Sequence, residues 1–210
     1  MLSRRRCHAG ALALLSGPLL RPTASAQSTP SAEPPALDAE RLRRGGLVLF
    51  IRTGQTDNSR TDDLVPGDFQ DCRRQRPLSP EGVNQARRLG AWLRSEGCRL
   101  HEVVSSPLCR ARESAALLGA ATPVIDPDLA YLPYMRRAQR DAARARLRHW
   151  LSAAVAARQL RAVVAHGGNL ADLTGLYPEE AVLHAFVPQG PAGYQLLGTL
   201  AVRDWPERRP

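Results

Sequence analysis

The sequence predicts an α/β protein: a three-layer α/β/α sandwich built on a mostly parallel central sheet. Two observations lead there. Short runs of consecutive apolar residues, Leu47-Val48-Leu49-Phe50-Ile51 and Ala162-Val163-Val164-Ala165 among them, read as strands buried on both faces. Between such runs lie longer stretches whose apolar residues recur at helical spacing. The 210 residues suffice for one domain of ordinary size, and a hydrophobic fraction of 43% excludes wholesale disorder.

The elements follow in order. Residues 1–26 carry the pattern of an export signal: Arg4-Arg5-Arg6, an apolar stretch from Ala9 to Leu20, and Ala24-Ser25-Ala26 as an A-x-A cleavage site. The Ser3-Arg4-Arg5 start also hints at the twin-arginine type, and an uncleaved N-terminal anchor is the alternative. Twelve apolar residues fall short of the roughly 20 that a spanning helix needs. The expected location is therefore periplasmic or secreted, with no stable membrane insertion once the signal is cleaved. Residues 27–44 are expected to form a Pro- and Ser-rich linker and a short helix capped by Asp38 and stopped at Gly45-Gly46. Residues 45–210 form the expected domain.

That domain opens on the strand Leu47–Ile51, followed by a long polar loop over 52–78. Ser79-Pro80-Glu81 starts a helix by cap, proline and acid, and Gly97 ends it. A strand at Glu102–Ser105 and a helix from about Pro107 to Leu118 come next, then a short strand at Val124-Ile125. Residues 136–160 are expected as one amphipathic helix with Leu147, Trp150, Leu151 and Val155 on its apolar face. Arg161–Ala165 is a strand, followed by a short helix. Ala181–Phe186 and Tyr194–Val202 read as closing strands.

The net charge is +9, and all 29 basic residues are arginine. Alongside so many alanines, this bias reads as a GC-rich genome rather than as a nucleic-acid surface. No aromatic-interleaved basic patch or zinc-finger spacing accompanies it, so nucleic acid is not an expected partner. Loss of residues 1–26 removes four arginines and no acid, which lowers the net charge to +5, in keeping with an anionic ligand. The remaining cysteines, Cys72, Cys98 and Cys109, match no zinc pattern, and no metal or cofactor is expected. In an oxidising compartment a Cys72–Cys109 disulfide with a free Cys98 is one reading; three reduced thiols is the other.

Three segments sit just past strand ends: Arg52-Thr53-Gly54-Gln55-Thr56, Ser105-Ser106-Pro107-Leu108-Cys109-Arg110 and His166-Gly167-Gly168-Asn169. Ligands of parallel sheets bind at the carboxyl ends of the strands. Two guanidiniums and an imidazole gathered there suit a phosphate, since arginine forks give bidentate charge-assisted bonds and helix starts offer N–H groups.

At this point the chain resembles the histidine phosphatase, or phosphoglycerate-mutase-like, superfamily. That family is marked by an apolar strand ending in Arg-His-Gly with Thr shortly after; here the stretch reads LVLFIRTGQT. RPLSPEGVNQARRLG, VVSSPLCRARESAALL and VVAHGGNL extend the likeness in the same order, and DCRRQRPLS and GPAGYQLL resemble the exported bacterial branch. The resemblance implies a phosphoglycerate-mutase-like fold and a small phosphorylated substrate or phosphoanion as partner. It makes Arg52 and Arg110 the phosphate clamps and His166 the second histidine, bonded to the transferring phosphoryl group. Thr53 stands where the nucleophilic histidine belongs. For the general acid, the place after the third strand falls on Asp128, with Asp62, Asp63 and Asp71 as rivals. Asp57, Asn58 and Arg60 could reach a substrate or simply be solvated, and Asn169 reads as a helix cap.

Threonine cannot copy the histidine. Its hydroxyl needs a base, its side chain is shorter and stiff, and an alkyl phosphate ester hydrolyses far more slowly than a phosphoramidate. Three readings therefore stand. The first is a phosphoanion binder with weak or no turnover. The second is a phosphomonoesterase of changed mechanism, using His166 or direct attack by water. The third is a structural or partner-binding module.

Overall fold

A computed structural model describes residues 37–63, 69–120 and 122–201. The expected export signal and linker lie outside the described residues. A six-stranded sheet runs in the order β3-β2-β4-β1-β5-β6. β1 (Leu47–Arg52), β2 (Leu100–Ser105), β3 (Val124–Ile125) and β4 (Leu160–Ala165) are mutually parallel. β5 (Leu183–Pro188) and β6 (Tyr194–Leu200) close the sheet antiparallel.

β1 explains its own central place. Its alternate side chains bury on opposite faces of the sheet, so no polar residue is tolerated until Arg52. Leu47, Leu49 and Ile51 pack with the helices α1 (Ala39–Arg44), α2 (Pro80–Ser95) and α3 (Cys109–Leu117). Val48 and Phe50 pack on the other side with α4 (Arg137–Ser152) and α5 (Gly167–Thr174). The three layers are those the sequence predicts.

The helix starts are also legible. Asp38 accepts from the Arg41 N–H, and Ser79 accepts from the Gly82 N–H at 3.1 Å with Pro80 in the first turn. Two glycines set a close approach that shapes the site. A Cβ on Gly54 would lie 2.5 Å from the Gly82 carbonyl oxygen, and one on Gly82 would lie 2.0 Å from that of Gln55. The turn after β1 thus rests directly on the first turn of α2.

Several boundaries differ from expectation; β2, for one, begins at Leu100 rather than Glu102. The amphipathic helix ends at Ser152 rather than 160, because Ala153 turns extended and its carbonyl accepts from the Arg161 guanidinium at 2.8 Å. Ala143, Leu147 and Leu151 already fill its buried face. The fifth strand begins at Leu183, since Ala181 sits at a positive φ of 58° and donates its N–H to the Thr53 carbonyl. β6 ends at Leu200.

Candidate anion-binding site

The sheet order sets β2, β4 and β1 side by side, so their carboxyl ends converge. Arg52 ends β1 and Thr53 follows it, Ser106 and Arg110 follow β2, and His166 follows β4. Together with Thr56, Arg76, Tyr131, Gly167, Tyr177 and Glu180, the residues Arg52, Thr53, Arg110 and His166 line one cavity of about 40 Å³. The expected clamps and the second histidine are thus brought together around Thr53.

Each is held by identifiable partners. Arg110 is 97% buried, with Nη1 donating to Asp62 Oδ1 at 2.9 Å and to the Arg76 carbonyl at 3.3 Å. Among the described residues its Nε and Nη2 make no hydrogen bond. Asp62 also accepts from the Arg76 N–H at 2.7 Å and from the Tyr134 hydroxyl at 2.8 Å. Burial alone would raise the Asp62 carboxyl. The Arg76 N–H, the Arg110 charge and the Tyr134 hydroxyl outweigh it and hold the group below the usual carboxylate range. Burial and the same carboxylate push the Tyr134 phenol up to about 12.

Arg52 is engaged by the segment after α5. Its Nη1 donates to the Pro178 carbonyl at 2.6 Å, its Nη2 lies 3.5 Å from Glu180 Oε1, and its guanidinium is 5.3 Å from the Tyr177 ring centroid. The Thr56 hydroxyl donates to the same Glu180 oxygen at 3.3 Å. Gly167 leaves room for this arginine, since a Cβ there would meet Arg52 Cδ at 3.2 Å. Arg76, the third guanidinium, carries a buried Nε with no hydrogen-bond partner among the described residues. A buried charged donor at a cavity wall suits an anionic ligand.

His166 is 95% buried, with Nε2 and the Ser106 hydroxyl 2.8 Å apart. The Ser106 oxygen also accepts from the Leu108 N–H at 3.3 Å. Burial first, then the charges of Arg110, Arg52 and Arg76, push the imidazole well below its ordinary range, so it is neutral at pH 7. Thr53 is 4% exposed, and among the described residues its hydroxyl has no hydrogen-bond partner. Three guanidiniums, a neutral imidazole and a glycine helix start can take a tetrahedral oxyanion, with Asp62 and Glu180 offsetting part of the positive charge. Among the described residues no group of three His, Cys, Asp or Glu side chains could hold a metal ion.

The other sequence candidates lie elsewhere. Asp128 is half-buried, donates its N–H to Asp126 and does not line the cavity. Asp63 pairs with Arg74, and Asp71 caps a short 3-10 turn and pairs with Arg73. Asp57 holds Ser59, Arg60 bonds the Arg73 carbonyl, and Asn58 is exposed. Asn169 does not cap its helix; its amide donates to the Leu129 and Ala130 carbonyls and so anchors the chain just before Tyr131.

Arg76, Glu180, Tyr131 and Tyr177 were not anticipated. The C-R-R-Q-R run was a signal for Arg76; the others had none, because they reach the site from loops. Cys72 and Cys109 form the disulfide, with a Cα–Cα distance of 5.7 Å, while Cys98 is free and buried, its thiol raised to about 11 by burial. The bridge ties the long loop to the start of α3, and Gln75 adds a second tie by accepting from the Cys109 N–H at 2.8 Å. Arg76 and Arg110 lie one step past these ties. Reduction, or paired Cys72→Ser and Cys109→Ser substitution, is expected to cost about 2–4 kcal/mol, read as a lower urea midpoint. An unchanged midpoint would show that the loop is held without the bridge.

A family model described as histidine phosphatase superfamily (branch 1) matches residues 48–136. No curated protein matches the chain. Among solved structures, the fold is similar to the protein histidine phosphatase SixA complexed with tungstate, at 16% identity and a TM-score of 0.56 over 75% of this chain and 98% of that one. It is also similar to the alpha-ribazole phosphatase from Shigella flexneri, at 15% identity and a TM-score of 0.52 over 74% and 96% of the two chains. A third is mycobacterial hydrolase 1, at 20% identity and a TM-score of 0.50 over 73% and 97%. At these identities the likeness is one of fold.

Proposed function

We propose, with the histidine phosphatase superfamily supported by the family model and by the solved folds, that this chain is an exported member that binds phosphoanions and has lost the phosphohistidine route. The observation that carries this reading is the cavity itself. Arg52, Arg76 and Arg110 surround it, Arg76 Nε has no hydrogen-bond partner among the described residues, and Thr53 lines it where the family resemblance expects the nucleophile. Export is supported by the pattern of residues 1–26 and by a disulfide that suits an oxidising compartment.

Thr53 is a poor nucleophile in this setting. A hydroxyl must lose its proton as it attacks phosphorus, and no base lies within hydrogen-bond reach of it among the described residues. His166 is committed to Ser106. Leaving-group protonation is equally ill served. Asp62 is an ion-paired acceptor, Asp128 is not at the cavity, and Glu180 is shared by Arg52 and Thr56.

One observation favours a second reading, an active phosphomonoesterase of changed mechanism: the neutral His166 is in the form that can act as base or nucleophile. An assay of p-nitrophenyl phosphate from pH 4 to 8 separates the two. The binding reading predicts no turnover above buffer. Turnover by the wild type that disappears in His166→Ala would establish the esterase instead.

A further inference from the structure

We propose that Tyr177 and Tyr131 form a rim subsite for a planar aromatic ring, so that the preferred ligand is a monoester of phosphate with an aromatic organic part. The inference rests on the phosphoanion reading above and deepens it.

Tyr177 is 63% exposed, and among the described residues only Val124 and Ile125, on the edge strand β3, are comparable large apolar side chains left in water. Yet it is not a loose surface residue. Its ring lies over the Arg52 guanidinium, and the next residue, Pro178, fixes the backbone while its carbonyl accepts from the same arginine. One face of the ring is thus held against a phosphate clamp. A ring fixed in place loses little freedom when a ligand stacks on it.

Tyr131 flanks the cavity on the His166 side, with ring centroids 5.4 Å apart. It too is fixed: Tyr134 meets it edge-on at 5.3 Å, Asn169 holds the two residues before it, and Gly168 provides the space for it. A Cβ on Gly168 would lie 2.9 Å from Tyr131 Cε2. The cavity has room for little beyond the phosphate group, so an ester's organic part must lie along its rim, where these two rings stand. Glu180 stands at the same rim, its side chain 30% exposed, and disfavours a second anionic group there while accepting from a donor.

An aryl phosphate and a nucleotide share this chemistry, and a binding experiment on the wild-type protein separates them. Calorimetric titrations would use inorganic phosphate, glycerol 3-phosphate, phenyl phosphate and adenosine monophosphate. At least one aromatic ester is expected to bind about two- to tenfold more tightly than glycerol 3-phosphate, the range expected of one aromatic contact. Preference for phenyl phosphate assigns the rim to an aryl ester; preference for the nucleotide assigns it to a base. Tyr177→Ala should remove most of that preference and Tyr177→Phe should keep it, while inorganic phosphate changes less than the preference does. If inorganic phosphate binds and neither aromatic ester exceeds glycerol 3-phosphate, the rim proposal alone is overturned. If no phosphate compound binds, the pocket reading falls and takes the rim with it.

Discussion

Arg110→Ala is expected to destabilise the protein by about 3–5 kcal/mol, the cost of leaving a buried charge without its partner. Asp62 and Arg110 have side chains only 4% and 3% exposed, and their oxygen and nitrogen are 2.9 Å apart. Without the guanidinium, Asp62 keeps the Arg76 N–H and the Tyr134 hydroxyl, both neutral donors. Those bonds do not replace a cation in a site withdrawn from water. A large drop in the urea midpoint with an unchanged slope is the expected record. Adding Asp62→Asn removes the stranded charge, so the double variant should recover part of the loss. Both variants should fail to bind phosphate, because the Nε and Nη2 that Arg110 offers the cavity are gone in each. A loss of less than about 1 kcal/mol, or a double variant whose loss equals the sum of the losses in Arg110→Ala and Asp62→Asn alone, would mean that the pair is not coupled as described.

Thr53→His is expected to gain hydrolysis of p-nitrophenyl phosphate, on the order of a hundredfold over the rate in buffer alone, which corresponds to about 2.7 kcal/mol of barrier. The variant restores a neutral nitrogen nucleophile among guanidiniums already in place, and positioning with charge stabilisation supplies much of phosphoryl-transfer catalysis. The choice of substrate matters. A p-nitrophenolate leaves without protonation, so the missing acid is bypassed; glycerol 3-phosphate, whose alkoxide needs a proton, should remain nearly inert. Acid-labile phosphate on the quenched variant would mark the phosphohistidine. A variant that melts like wild type but neither turns over nor becomes labelled would show that the cavity is not arranged for phosphoryl transfer at all.

The parts of this site that were legible in sequence share one property: they are fixed by regular structure. Once Leu47–Ile51 and Ala162–Ala165 read as buried parallel strands, Arg52, Thr53 and His166 had to emerge at the same end, and Arg110 in the first turn of the helix after β2. The unseen residues depend on how loops close. Arg76 reaches the cavity because the disulfide and Gln75 dock its loop on α3. Glu180 and Tyr177 reach it because Arg52 draws in the segment after α5. Such contacts join residues 34 to 128 positions apart and leave no periodicity to read. Asp62 shows the limit from another side. As one of several loop acids it was a rival for proton donor, and only its burial against Arg110 identifies it as the group that holds that arginine. The long helix expected to 160 stops early for a more local reason, since the Ala153 carbonyl accepts from Arg161 at the start of β4.

The central claim separates binding from turnover, and phosphorus-31 NMR of the wild-type protein mixed with phenyl phosphate observes both at once. The account predicts that the ester resonance shifts or broadens with added protein and that inorganic phosphate does not grow over hours. Growth of an inorganic phosphate signal in proportion to protein, or an ester resonance that ignores the protein altogether, would contradict it.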